Sequence, residues 1–163
     1  MDQDCTFVKR VWGDRRCELA ATDGKETLAE ARDVFMIIDS SIKPRVSQIK
    51  ATPVTPFTIY RKCKDGTHAQ VFSSFGVDMK KLLWEEESQI IAFSRDYREI
   101  MIQEDVNSGF FFPLKDDGGF SVVSVFVRKG GLSLHKDLLS YEGIWKDDEE
   151  YNYCYFSVIP MVP

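Results

Sequence analysis

"GFFFPLKDDGGFSVVSVFVRKGGLSLH", residues 109–135, holds three apolar runs divided by two short polar segments that end in paired glycines. Phe, Val and Leu dominate the runs, the residue types that fit a pleated and largely buried surface. KDDGG and RKGG carry the glycines that reverse a chain tightly. The stretch therefore predicts a three-stranded antiparallel meander, and it makes the sheet the organising element of the fold.

Working outward from the meander adds further strands. YNYCYFSVI, residues 151–159, alternates with Tyr151, Tyr153 and Tyr155 on one face and Cys154, Phe156 and Val158 on the other. That pattern predicts a last strand with apolar cover, or a partner, on both sides. Upstream, FTIYRKCK and THAQVFSSF flank Asp65-Gly66, a favoured two-residue hairpin turn, so residues 57–75 are expected to form a β-hairpin. TFVKRVW, Thr6 to Trp12, has strand composition and is followed by the turn residues Gly13-Asp14.

Helical signals are fewer. Asp23 precedes Glu26 by three, a capping-box spacing, and Leu28, Ala31, Phe35 and Ile38 recur at helical intervals, which predicts a helix from about Lys25 to Ile38. Asp78 is placed to cap a short helix from Met79 to Glu87. Ser88 is placed to cap another whose face carries Ile90, Phe93, Tyr97, Ile100 and Met101. Residues 39–56, with Ser40, Ser41, Pro44, Pro53 and Pro56, read as a connection with little regular structure. The expected architecture is a single α+β domain over residues 1–163, an antiparallel sheet of hairpin plus meander covered by two or three helices.

Composition agrees with a globular chain. The 163 residues suit one domain with a core of its own, and 44% hydrophobic with 29% charged residues is ordinary for such a domain. The start, MDQDCTFVKRVWGD, lacks the basic and apolar regions of a secretory signal, and no apolar run reaches membrane-spanning length, so a cytoplasmic location is expected. Cys5, Cys17, Cys63 and Cys154 lack CxxC spacing and read as reduced thiols. Charge is uneven: residues 1–81 hold 14 basic and 11 acidic side chains (+3) and residues 82–163 hold 7 and 15 (−8), matching the net −5. A solvated surface without a partner is the leading reading of this asymmetry, and a dipolar surface the alternative.

Three groups of residues are candidates for chemistry or binding. In a hairpin centred on Asp65-Gly66, Cys63 and His68 fall opposite each other with Cβ atoms about 4.5–5.5 Å apart. A thiol beside an imidazole is the core of a cysteine-dependent enzyme. No oxyanion hole or orienting third group accompanies it, so packing is the leading reading of the pair. Arg61, Lys62 and Lys64 interleave with aromatics including Tyr60, which would let a sheet surface stack and neutralise nucleic acid, though no RNP-like or KH-like pattern is present and the sequence pI near 5.1 opposes it. Tyr141, Trp145, Asp147, Asp148, Glu149, Glu150 and Tyr153 combine aromatics with acids, the make-up of a protein-binding surface.

Other motifs add little. GxxxxGK[ST] and GxGxxG do not occur, so no nucleotide cofactor is expected, and two scattered His give no metal site. Glu85-Glu86-Glu87 reads as a solvated acidic face, and PVTP, residues 53–56, has only the bare PxxP spacing. The leading expectation is a non-enzymatic intracellular protein-binding module, of the inhibitor or immunity-protein kind, whose acidic and aromatic surface meets a basic partner. A nucleic-acid-binding domain built on residues 57–75 is the alternative, and a Cys63/His68 enzyme comes third. Oligomeric state is not set by the sequence.

Overall fold

A computed structural model describes residues 8–10, 17–45, 49–62, 66–76, 78–102, 108–116, 119–138, 144–145 and 154–160; for residues 8–10, 66–69, 79, 137–138 and 144–145 it describes the backbone alone. Its strands are β1 (Val8–Arg10), β2 (Cys17–Leu19), β3 (Ile37–Ile38), β4 (Thr55–Lys62), β5 (Gly66–Thr67), β6 (Ser108–Asp116), β7 (Gly119–Arg128), β8 (Gly131–Leu138), β9 (Ile144–Trp145) and β10 (Cys154–Pro160). The helices are short: α1 (His68–Ser73), α2 (Glu87–Asp96) and α3 (Arg98–Ile102), with 3-10 turns at Leu28–Glu30 and Met79–Leu82.

The meander forms as its composition predicts, with β7 antiparallel to β6 from Gly109↔Phe126 to Asp116↔Gly119 and to β8 from Ser121↔Leu138 to Arg128↔Gly131. The sheet as a whole is mixed, which corrects the expectation of an antiparallel one. Its order is β1-β4-β10-β6-β7-β8-β3, and β2 shares with β1 the outer edge of β4. β10 enters the middle, antiparallel to β4 but parallel to β6, and β3 lies parallel to β8. The reason is visible in the residues: Phe156, Ser157, Val158 and Ile159 are all buried, so this strand needs cover on both faces and a paired neighbour on both edges.

Helical cover is also less than the spacing predicts. The Asp23 carboxylate accepts the Lys25 N–H at 2.9 Å and Glu26 pairs with Arg95, so the expected capping box does not form. After the 3-10 turn the chain reverses at residues 32–34, and the Met36 N–H donates to Leu132 O at 2.8 Å, which commits it to the sheet edge as β3. Leu28, Ala31 and Phe35 are nevertheless buried, reached through turns rather than along one helix face.

The β-hairpin expected over residues 57–75 is replaced as well. β4 pairs with β1, β2 and β10, whereas β5 pairs with β9, and α1 begins at His68. Residues 79–82 do make a turn whose Lys80 N–H is accepted by Asp78. At α2 the cap is Glu86 rather than Ser88: the Glu86 and Gln89 side chains and backbone groups satisfy one another reciprocally.

Packing divides by the pleat of the sheet. On one face Phe57, Ile59, Phe110, Phe112, Val123, Val125, Leu132, Leu134, Phe156 and Val158 meet α2, α3 and the 28–35 turns around buried Trp84. Trp84 is fixed by its indole N–H, which donates to Val158 O at 2.8 Å. On the other, Phe111, Val122 and Ile159 meet Val71 and Phe72 of α1 and Leu82.

Candidate functional site

Two backbone stretches that stand out in the sequence, Gly66-Thr67 next to the basic residues and Ile144-Trp145 next to the acidic run, pair with each other. Gly66 pairs with Trp145 and Thr67 with Ile144, making β5 and β9 a two-stranded antiparallel ribbon separate from the main sheet. Each strand has only two residues, too few to carry a core of its own. In the chain, Arg61 and Lys62 lie just before β5, and Asp147 to Glu150 follow just after β9.

Individual residues of the basic segment separate. Arg61 and Lys62 are neighbours on a strand and point to opposite faces. Arg61 is exposed and donates from Nη2 to Cys154 Sγ at 3.4 Å. Lys62 is buried, with its ammonium 5.4 Å from the centre of the Tyr155 ring, a cation-π contact. Tyr60, half-buried, meets Phe75 edge-on at 4.7 Å. Phe57 is in the core on the other face from Tyr60, so the aromatics of residues 57–75 do not make one stacking platform. Lys64 and Cys63 lie outside the described residues. His68 opens α1, so the strand register that would set it opposite Cys63 is absent.

Of the acidic-aromatic segment, Trp145 is placed by its backbone in β9; Tyr141, Asp147, Asp148, Glu149, Glu150 and Tyr153 lie outside the described residues. Among the described residues no three His, Cys, Asp or Glu side chains converge in a way that could hold a metal ion. No helix among them is long and apolar enough to cross a membrane.

Comparison with protein-family models, with curated proteins and with solved structures finds no match.

What the sequence presents as an acidic face at residues 85–87 is largely internal. Glu86 is buried and forms an ion pair with Arg45, and Glu87 is buried and accepts the Leu28 N–H at 2.8 Å. Both carboxylates therefore fasten α2 to the preceding chain, while Glu85 remains outside, 3.4 Å from Lys115. Thr22, Thr52 and Ser88 add a run of hydroxyls with successive distances of 2.7 Å. The capping box could have been read from the Glu86–Gln89 spacing; the burial could not, because three consecutive acids look like a solvated face.

Further polar detail marks the sheet edge. Asp39 accepts the Ser41 N–H at 2.9 Å, and this bond, with the Ser41 hydroxyl and the nearby His135, holds its carboxyl below the ordinary value. Ser41 in turn accepts the Lys136 N–H of β8 at 3.2 Å, closing the edge beyond β3 with a side chain. An edge this short and capped is protected against pairing with another chain.

Proposed function

We propose that this is a non-enzymatic protein-binding module that engages its partner where β5 and β9 pair. The observation that supports the reading is the register Gly66↔Trp145, which pairs a residue following the basic run Arg61–Lys64 in the chain with one preceding the acids Asp147–Glu150. Aromatic anchors ringed by charge supply both a desolvated contact and electrostatic steering. A ribbon too small to have a core of its own suits a recognition element displayed by a rigid sheet. The partner is a protein with a basic surface, and an inhibitor or immunity role is the form of binding that suits an acidic face. The same reading places the protein in the cytoplasm, where the free, half-buried thiols Cys17 and Cys154 stay reduced.

The nucleic-acid alternative has less support, since Lys62 is buried and Arg61 lies on the other face of the sheet from Tyr60. One experiment tests both. The tagged chain, Trp145→Ala, and a variant with Asp147, Asp148, Glu149 and Glu150 neutralised are used to capture partners with and without nuclease, and recovered partners are then titrated at rising salt. Retention of a nuclease-resistant partner by the wild type, its loss from Trp145→Ala, and slower association of the neutralised variant are expected. A partner held equally by all three chains would overturn the reading, and nuclease-sensitive recovery would move it to nucleic acid.

A further inference from the structure

The turn from β7 to β8 backs onto a cleft of about 170 Å3, lined by Arg32, Asp33, Met36, Arg98, Gly130 and Gly131 among others. It brings side chains from three distant parts of the chain to one spot: the reversal after the first 3-10 turn, the start of α3, and the β7–β8 turn. Two guanidinium groups bear on it. The Arg98 group makes one long hydrogen bond, from Nη1 to Val34 O at 3.5 Å, which leaves most of its five donors unused. Arg32 has no side-chain hydrogen bond or ion pair among the described residues.

The one carboxylate in the lining, Asp33, forms no ion pair with either of them among the described residues; it pairs with Arg95 at 3.0 Å, and Arg95 also takes Glu26 at 2.8 Å. Lys129, exposed on the β7–β8 turn, adds a third cation close by. Asp96 and Glu99 flank Arg98 in the chain but do not line the cleft.

The glycines keep the space open. A Cβ on Gly131 would press on Met36 Cβ at 3.2 Å and come into ordinary contact with Arg98 Nη2 at 3.9 Å, so a side chain there would displace Met36 in the lining. Gly130, with φ +99°, makes the turn in a conformation that other residues rarely adopt. Size selects the ligand: the cleft is smaller than the roughly 300–1,000 Å3 of sites that enclose drug-sized molecules or cofactors. Paired guanidinium forks match the oxygens of phosphate and carboxylate in geometry and charge.

We propose that this cleft binds an oxyanion, phosphate or carboxylate, held between Arg32 and Arg98. It is independent of the ribbon formed by β5 and β9. Phosphate, with more charge and more oxygens to share between two forks, binds more tightly than a carboxylate.

The test is titration of the full chain with inorganic phosphate and, separately, acetate, at ionic strength held constant with sodium chloride, read by calorimetry and by the arginine side-chain NMR signals. Saturable phosphate binding is expected, weakened by about tenfold or more in Arg32→Gln and in Arg98→Gln, and unchanged in Lys25→Gln, whose exposed side chain lies outside the cleft. Arg98→Lys, which keeps the charge and loses the fork, should fall between wild type and Arg98→Gln. Circular dichroism checks that each variant folds. If Arg98→Gln does not, Gly131→Ala supplies the second probe by pushing on Met36 in the lining. Acetate binding with the same dependence on both arginines would support the carboxylate source. Phosphate signals that fail to saturate, or that persist equally in Arg32→Gln and Gly131→Ala, would overturn the proposal.

Discussion

The two faces of the central sheet are built to different standards. One carries a large continuous core in which Phe93 meets Phe57, Phe112 and Tyr97 at ring distances of 5.2, 5.1 and 5.2 Å, and its bordering carboxylates are tied to named partners, although the buried Ser121 hydroxyl on this face has no hydrogen-bond partner among the described residues. The other holds a cluster of six fully buried apolar residues under α1, beside Ser124 and Ser157, whose buried hydroxyls have no hydrogen-bond partner among the described residues. Unsatisfied buried hydroxyls occur on both faces, and what separates them is the size of the core. Stability should therefore be concentrated on one side of the sheet.

Cavity-forming substitutions give the strongest way to break that contrast. Phe93→Ala should cost about 5 kcal/mol and Phe72→Ala about 3 kcal/mol, because a small cluster under a six-residue helix can collapse around the void while the large one cannot. Urea unfolding of both variants measures the difference, and equal losses would mean that the faces are equally rigid. Next comes Glu86→Ala, which removes the cap of α2 and leaves Arg45 without its buried counter-charge; a loss of about 2–3 kcal/mol is expected in the same assay. A loss under about half a kcal/mol would put this pair among exposed salt bridges.

Ser124→Ala and Ser157→Ala sharpen the comparison from the other side. Removing a buried hydroxyl that has no partner should be neutral or stabilising, by up to about 1 kcal/mol, whereas Ser88→Ala, which breaks the hydroxyl run to Thr22, should destabilise by a similar amount. Thermal unfolding distinguishes the signs. The smallest effect concerns Tyr97, whose phenol burial pushes above its ordinary value, with nearby Cys17 acting in the same direction. A raised acid of this kind contributes stability below the ordinary tyrosine value that is lost as pH rises through the folded one. Ultraviolet titration should show one tyrosine ionising later than the others, and Tyr97→Phe should remove that late step.

How far the sequence discloses this architecture depends on how local each signal is. The meander is readable because β6, β7 and β8 are consecutive and their turns carry glycine. The Asp78 cap is readable because it is local, but the helix expected from Met79 to Glu87 shortens to a 3-10 turn at Met79–Leu82, after which Trp84 bridges to Leu114. The place of β10 is not, because its alternation and burial say that it is covered but not that its neighbours are residues 55–62 and 108–111, far away in the chain. The turns after Leu28 imitate a helix, since apolar residues at intervals of three and four are buried in either geometry, and only the Asp23–Lys25 and Met36–Leu132 hydrogen bonds distinguish them. Likewise the Asp-Gly pair at residues 65 and 66 suggests a hairpin on local grounds, and the pairing of Gly66 with Trp145 is a tertiary choice. Arg32 and Arg98 carry no motif, so their convergence could be found only in the fold.

The position of β10 has a consequence for folding. Among the described strands it alone joins β4, with β1 and β2 at its edge, to the meander of β6, β7 and β8. Until β10 is seated, the two halves of the main sheet are separated by an empty lane, with β4 and β6 each left with an unpaired edge. Closing that lane is a long-range step, slow by its topology. Folding must therefore keep both edges from pairing with other chains until β10 is seated between them.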